Sequence, residues 1–348
     1  MRVTQPDVEP QRLIGIVTRF PGVRTTVFGD LIADEFIYGE IARVSREAPV
    51  LILNYDSTAI VPGGAGNAAN NVAALGGRAV AVGIAGRDQT GTRLLDELRP
   101  QVDVRSVVRP RGSHTPTKTR ILAGGIHSAK QQVVRIDRAA GPDLTDADRR
   151  SLAAKLLAAA SRSDALLVSD YGSGIVTPAL VRQAQQALRR RPQSPPPVLV
   201  DSRYALSRFR GMTACTPNES EVEQIFGVRI GENARVLEKA GRGLLARTRS
   251  QAVLITRGSR GMALFESDRP TVHISIVGSD QITDVTGAGD TVIATMTLAL
   301  AAGATFLEAA HLANYAAGIV VMKRGTATVD AGELRQAILA PGGRDRGR

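Results

Sequence analysis

A repeated alternation does most to limit what this chain can fold into. Short runs rich in Val, Ile and Leu (Thr25 to Phe28, Ala79 to Ile84, Ala165 to Val168, Pro197 to Val200, Ala252 to Thr256) are separated by longer helical patterns. These fall at about Gly66 to Leu75, Gln89 to Leu98, Asp146 to Ala160, Pro178 to Arg190, Glu219 to Phe226, Asn233 to Ala246, Ala288 to Ala301 and Phe306 to Met322. Near-continuous apolar strands are buried on both faces, and parallel strands need helical crossovers. The pattern therefore predicts an α/β protein with three α/β/α layers and a mostly parallel central sheet. All 348 residues fit one such domain, which can bury about 75% of its unfolded surface without disulfides.

Two regions break the rhythm, Phe36 to Val61 and Val102 to Arg138. Both alternate like strands and lack helix signals. Thr117-Lys118-Thr119-Arg120 and Arg135-Ile136-Asp137 place charges at period two, on one face of a strand. They are read as a small β lid inserted into the layered domain, its outer edges being candidate surfaces for a homodimer. Arg189 to Pro197 is read as a surface loop and residues 341–348 as a disordered tail.

Lys plus Arg exceeds Asp plus Glu by 44 − 33 = 11, which raises nucleic acid, anionic membrane and phosphorylated small molecules as partners. Nucleic acid is not expected, because 3% aromatics and no Trp leave few platforms for stacking bases. Cys215 is the single cysteine, which excludes an internal disulfide or a Cys-rich zinc site and points to a reducing compartment. His114, His127, His273 and His311 show no metal-ligand spacing. The first residues contain no apolar signal core. The uncharged stretch Thr291 to Leu307 is Ala- and Thr-rich and interrupted by Gly303, so it reads as a buried core helix rather than a membrane span. The expected location is cytoplasmic, with no membrane partner.

The strongest chemical motif is Asp284-Val285-Thr286-Gly287-Ala288-Gly289-Asp290-Thr291, directly before that helix. Gly287 and Gly289 permit a tight turn with outward N–H groups, and a helix N-terminus adds partial positive charge, so this corner can hold a phosphate or a developing anion. An acid at a helix start contributes roughly 0.3–1 kcal/mol by complementing the dipole alone. Beside an anion site, Asp290 instead becomes a candidate base for an attacking hydroxyl, with the Gly287, Ala288 and Gly289 amides stabilising the transferring group.

With this motif the chain resembles the ribokinase-like, phosphofructokinase B (PfkB) type sugar kinases over about residues 24 to 340. Pro62-Gly63-Gly64-Ala65-Gly66-Asn67 and Thr216-Pro217-Asn218-Glu219-Ser220-Glu221 match two further motifs of that family. So do Gly29-Asp30 with Asp34, Ser169-Asp170-Tyr171, Thr256-Arg257-Gly258-Ser259-Arg260-Gly261 and Asn314. The resemblance implies a ribokinase-like fold, ATP as phosphoryl donor and a sugar or sugar phosphate as acceptor. It implies sugar contacts at Asp34, Gly63, Gly64, Asn67 and Asp170, and a nucleotide pocket at Asn218, Thr256, Gly258, Gly261 and Asn314. It further implies Mg2+ near Glu221, through water, and a monovalent cation (K+) near Asp284 and Thr286.

Within the family the resemblance extends to heptose-7-phosphate kinases, through Tyr38-Gly39, Arg43-Val44-Ser45-Arg46-Glu47-Ala48-Pro49-Val50 and Lys323-Arg324-Gly325-Thr326-Ala327-Thr328. Those enzymes phosphorylate the anomeric hydroxyl of an already phosphorylated sugar. Such a substrate needs cations, and Lys118, Arg120 and Arg135 are the candidates. Two positions depart from that branch, where Ser173 and Ser202-Arg203 stand in place of lysines. No His-x-Gly-His of a fused nucleotidyltransferase is present. Other acceptors (ribose, fructose or its phosphate, nucleosides) and a catalytically silent sugar-phosphate sensor are the alternatives. A dinucleotide-binding reading of Gly64-Ala65-Gly66-Asn67-Ala68-Ala69 lacks a well-placed acid, and the absence of any Gly-Lys dipeptide argues still more strongly against a P-loop.

Overall fold

The computed structural model describes residues 8–124, 130–138, 144–188, 195–277, 284–323 and 325–340. The apolar runs become the centre of a nine-stranded sheet. It contains β1 (Arg24–Gly29), β4 (Arg78–Val82), β5 (Val102–Asp103), β8 (Ala165–Asp170), β9 (Val198–Ser202), β10 (Ala214–Cys215), β11 (Ala252–Thr256), β12 (Met262–Glu266) and β13 (Val272–Ile274). The order is β13-β12-β11-β10-β9-β8-β1-β4-β5, parallel from β5 to β11, with β12 and β13 closing one edge in antiparallel fashion.

Side-chain alternation along these strands splits the interior into two cores. Val27, Ala79, Ala81, Leu167 and Leu199 pack on one face, against α1 (Pro10–Val17), α2 (Ala65–Ala74), α3 (Gln89–Leu98), α8 (Ala288–Ala301), α9 (Phe306–Val320) and α10 (Ala331–Leu339). Phe28, Val80, Val82, Leu166, Val168, Val198 and Val200 pack on the other, against α4 (Asp146–Ala160), α5 (Pro178–Leu188), α6 (Glu219–Phe226) and α7 (Ala234–Thr248). The three layers and mostly parallel sheet are thus those expected from the periodicity. Cys215 lies in the second core, where burial, and then the charge of Asp201, pushes its thiol up to about 12. The uncharged stretch from Thr291 becomes the buried body of α8 and the turn into α9, and among the described residues no helix is long and apolar enough to cross a membrane.

A second sheet, ordered β3-β2-β6-β7, forms the lid from β2 (Leu31–Val44), β3 (Leu51–Gly64), β6 (Thr117–Gly124) and β7 (Gln131–Arg138). Its limits differ from those read in the sequence as 36–61 and 102–138. The lid strands begin at Leu31 and end at Gly64, because their roots, Leu31 to Asp34 and Pro62 to Gly64, are buried against the layered domain and continue the strands beyond the alternating region. Val102–Asp103 belongs to the main sheet, pairing with β4. The charge periodicity itself is realised: Lys118 pairs with Asp34 and Asp137 in register, and Arg120 with Phe36 and Arg135, so these side chains share one face. The expected tail (341–348), most of the 189–197 loop, residues 125–129 and Arg324 lie outside the described residues.

Candidate active site

Asp290 occupies the first turn of α8 and is 4% exposed. Its two oxygens are held by side chains from different layers: Asn67 Nδ2 donates to Oδ2 at 2.8 Å, and the Tyr171 hydroxyl donates to Oδ1 at 3.2 Å. Asn67 is itself oriented by Asn71, whose Nδ2 donates to Asn67 Oδ1 at 3.1 Å, while Thr291 Oγ1 donates to Asn71 Oδ1 at 2.8 Å. The small residues of α2, Ala-Gly-Asn-Ala-Ala-Asn-Asn, let this helix approach α8 closely enough for both contacts. Burial pushes the Asp290 carboxyl up to about 7, against the pull of the Asn67 and Tyr171 donors. Asp34 adds to the rise and Lys118 opposes it.

The turn before α8 has the geometry its glycines imply. Gly287 adopts φ +81°, and a Cβ there would fall 2.6 Å from Asn67 Nδ2, so a side chain would clash with the residue that holds Asp290. Gly287, Gly289 and Asp290 line a cleft of about 370 Å3 shared with Asp170, Asp201, Thr216, Asn218, Glu221 and Thr256, within the ordinary size range of small-molecule sites. Asn218 and Glu221 form a capping box at the start of α6: Asn218 Oδ1 accepts from Glu221 N at 2.9 Å, and Glu221 Oε2 accepts from Asn218 N at 2.9 Å. The local signal that starts this helix therefore also aims its carboxylate into the cleft.

This cleft is acidic. Burial, and then the facing charges of Glu221, Asp290 and Asp170, push the Asp201 carboxyl well above its ordinary value, with Arg203 pulling the other way. Burial likewise raises Glu221, opposed by the Asn218 N–H and by Arg203. Among the described residues no group of three or more His, Cys, Asp or Glu side chains is arranged to hold a metal alone. Asp201 and Glu221 nevertheless supply crowded, hard oxygen donors, which fit a divalent cation whose shell a phosphate ligand and water complete.

A second cavity of about 250 Å3 opens between the lid and the loops after β8 and β9, lined by Lys118, Arg135, Arg138, Arg203, Asp30 and Tyr171 among others. Tyr171, Arg203 and Tyr204 border both cavities. Lys118 Nζ lies 4.9 Å from the Tyr171 ring centroid, and partial burial lowers its pKa, with Asp34 opposing and Arg203, Arg135 and Arg120 adding to the drop. Arg120 is engaged by Asp34 at 2.5 Å and Arg135 by Asp137 at 2.6 Å. Of the three expected substrate cations, Lys118 is the one that no ion pair holds among the described residues.

Other expected positions divide by what surrounds them. Gly63 and Gly64 end β3 beside Asp34 and Asp30; a Cβ at Gly63 would lie 2.3 Å from Asp34 Oδ2. Asp284 accepts from the N–H groups of Thr286 at 2.9 Å and Gly325 at 3.1 Å. Partial burial opposes ionisation there, but these donors and Arg120 hold the carboxyl below its ordinary value. Gly258, Gly261 and Asn314 are not among the described residues lining the cleft. Gly261 turns the β11–β12 hairpin with φ +76°, where a Cβ would meet Ile274 O at 2.0 Å, and Asn314 Nδ2 donates to Ser275 O at 2.7 Å. Three residues at the site were not singled out by sequence reasoning as site residues: Tyr171, Asp201 and Arg203. Tyr171 stood in a motif noted for its Asp, Arg203 was read as a departure, and Asp201 carried no spacing signal beyond lying at a strand end, where ligands bind in open α/β sheets.

A family model described as pfkB family carbohydrate kinase matches residues 27–331. Two curated relatives named Bifunctional protein HldE are similar over most of the chain. The one from Geobacter metallireducens is 40% identical over 314 residues, covering 90% of this chain and 62% of the relative. The one from Caulobacter vibrioides is 39% identical over 319 residues, covering 90% and 63%. The chain thus spans less than two thirds of the length of these relatives. Among solved structures, Arabidopsis thaliana ribokinase complexed with ribose and ATP matches with a TM-score of 0.69 at 20% identity, covering 91% of this chain and 99% of that one. Phosphofructokinase-2 from Escherichia coli, in complex with substrates and products, matches with a TM-score of 0.70 at 20% identity, covering 91% and 98%. Taken with the Asp290 turn and the lidded three-layer fold, the match over 27–331 makes this chain a member of the pfkB family of carbohydrate kinases.

Proposed function

We propose that this chain transfers the γ-phosphoryl group of ATP to a hydroxyl of a phosphorylated sugar, a heptose 7-phosphate being the acceptor that the sequence resemblance favours. The observation that carries this reading is the position of Asp290, a buried carboxylate at a helix N-terminus in an acid-lined cleft, bonded to Tyr171, which also lines the neighbouring cation-lined cavity. A carboxyl poised near neutrality is matched to accepting a proton from a sugar hydroxyl at physiological pH. The amides of Gly287 and Gly289, at the open end of α8, would stabilise charge on the transferring group, joined by that of Ala288, which donates to Val285 O at 3.3 Å, only if it leaves that bond. Asp34, Gly63, Gly64, Asn67 and Asp170 border the acceptor, with Lys118 and Arg203 toward its distal phosphate. Arg120 and Arg135 contribute by shaping the lid face.

On the donor side Asn218, Thr256, Gly258, Gly261 and Asn314 build or buttress the nucleotide pocket. Glu221 and Asp201 would hold Mg2+, which when bound neutralises polyphosphate charge. The turn around Asp284 and Thr286 is the proposed place for K+. We regard the chain as one functional domain. The exposed Val44, Leu51, Tyr55, Val134 and Ile136 on the lid support a homodimer through its outer surface.

The deciding experiment is an ADP-release screen of the purified protein with heptose 7-phosphates, fructose phosphates, ribose and nucleosides. Turnover confined to phosphorylated sugars supports the reading. Preference for an unphosphorylated sugar refutes the sugar-phosphate part while leaving a kinase. Binding without turnover across the whole panel favours the sensor.

A further inference from the structure

The loop after β8 is pinned more firmly than a connection at a ligand cavity needs to be. Asp30, 3% exposed, accepts from the backbone N–H of Tyr171 at 2.7 Å, from the backbone N–H of Ser173 at 3.3 Å, and from the Ser173 hydroxyl. Asp170 accepts from the N–H of Gly172 at 3.0 Å and from the Ser202 hydroxyl at 2.6 Å. Ser173, which replaces a lysine of the heptose-kinase pattern, and Ser202, beside the Arg203 that replaces the other, are thus committed to acids under this loop. What the loop presents is the Tyr171 side chain, with its hydroxyl on Asp290 and its ring beneath Lys118.

We propose that Tyr171 is a positioning residue for phosphoryl transfer: its hydroxyl, donated to Asp290 Oδ1, fixes the direction of the carboxylate and stabilises its charged form. The inference rests on Asp290 being the base. Asp290 has two oxygens and two side-chain donors, Asn67 on one and Tyr171 on the other, so together they hold the carboxylate plane, leaving the remaining lone pairs for the acceptor's proton. The phenol remains a donor, because the charge of Asp290, and then burial, raise its own ionisation well above the ordinary value. The other charged groups facing Asp290 are Asp34 from β2, Lys118 from β6, and Asp201, Asp170, Arg203 and Glu221 across the cleft. Asp34 works against the ionised base and Lys118 works for it. The Tyr171 hydroxyl is therefore a neutral donor that favours the anion without bringing a charge that would hold the proton's destination in an ion pair.

The test is Tyr171→Phe, which keeps the ring and its contact with Lys118. Its kcat is measured against pH with ATP, Mg2+ and the best sugar phosphate of the screen. In parallel, aspartate labelled with 13C at Cγ is titrated by NMR without substrate, the Asp290 resonance being assigned by its absence from Asp290→Asn. Loss of a hydrogen bond to a charged acceptor is expected to move the acid limb and the NMR midpoint upward by about one pH unit. Turnover then falls about fivefold at pH 7 and returns to within about twofold by pH 9. A purely structural role would lower the plateau and leave both midpoints in place. Midpoints unmoved in Tyr171→Phe, whatever the plateau, overturn the proposal while Asp290→Asn remains inactive. An acid limb that survives in Asp290→Asn overturns the base assignment and this proposal with it.

Discussion

The two cavities that share Tyr171, Arg203 and Tyr204 have opposite electrostatic character. On the lid side Lys118, Arg135, Arg138 and Arg203 outnumber Asp30 and Asp137; on the other side Asp170, Asp201, Glu221 and Asp290 face Arg203. A polyphosphate approaching the acidic cleft meets repulsion unless a cation comes with it, whereas an anion entering the lid side is attracted directly. Under the proposed function this asymmetry would keep two phosphorylated ligands apart, one side attracting phosphate by fixed side-chain charge and the other requiring a divalent ion together with N–H groups at a helix end.

Disruption should be largest at Asp290, in the acidic cleft against the shared Tyr171. Asp290→Asn keeps the shape of the cleft and can still accept from Asn67, but it removes the proposed base. Turnover should fall about 100- to 10,000-fold while ATP binding, measured by calorimetry, survives. Near-full activity in this variant would break that assignment altogether.

A smaller effect should separate the sides. Lys118→Met preserves much of the aliphatic stem over Tyr171 and deletes the charge. The KM for a phosphorylated acceptor should rise about 10- to 100-fold, the worth of a charge-assisted contact, with the ATP KM unchanged. An equal loss for the phosphorylated sugar and its unphosphorylated counterpart would mean that Lys118 serves the lid rather than a phosphate.

The two cavities were unequally legible in the sequence. The acidic one is built from local signals: a glycine turn before an apolar helix, and an Asn-x-x-Glu that doubles as a capping box. Each places its own side chains within a few residues, so spacing alone reveals them. The lid side depends on long-range register. Lys118 and Arg120 shared a readable alternation, but nothing nearby in sequence showed that Arg120 would be taken by Asp34, 86 positions away, or that Arg203 would stand between the cavities. The central strands were found because apolar runs buried on both faces are unambiguous, whereas α1 and α10 and the antiparallel strands β12 and β13 lie at the periphery with weaker patterns. Asp201 was missed for a related reason, since its significance lies in Glu221 across the cleft.

Asp201 also offers the mildest way to sharpen the contrast. Its folded-state pKa lies above the ordinary aspartate value, so its charged form is disfavoured in the native protein. Below the ordinary value both states are protonated and the residue costs nothing. As pH rises past that value the unfolded chain ionises first, and stability is lost progressively until the native carboxyl ionises too. Asp201→Asn should therefore raise the Mg2+-free melting temperature at pH 8, by about 1–2 °C for each kcal/mol of relieved repulsion in a chain of this length, and change it little at pH 4. With a carboxylate gone, the Mg2+ concentration for half-maximal ATP binding should rise about tenfold. Lys118→Met should move neither quantity in this way, because the repulsion that a cation must offset lies on the nucleotide side. A variant stabilised at pH 8 with an unchanged Mg2+ requirement would leave Asp201 as a source of strain with no share in holding the ion. A destabilised variant would show that Asp201 is compensated by Arg203 more fully than its neighbours imply.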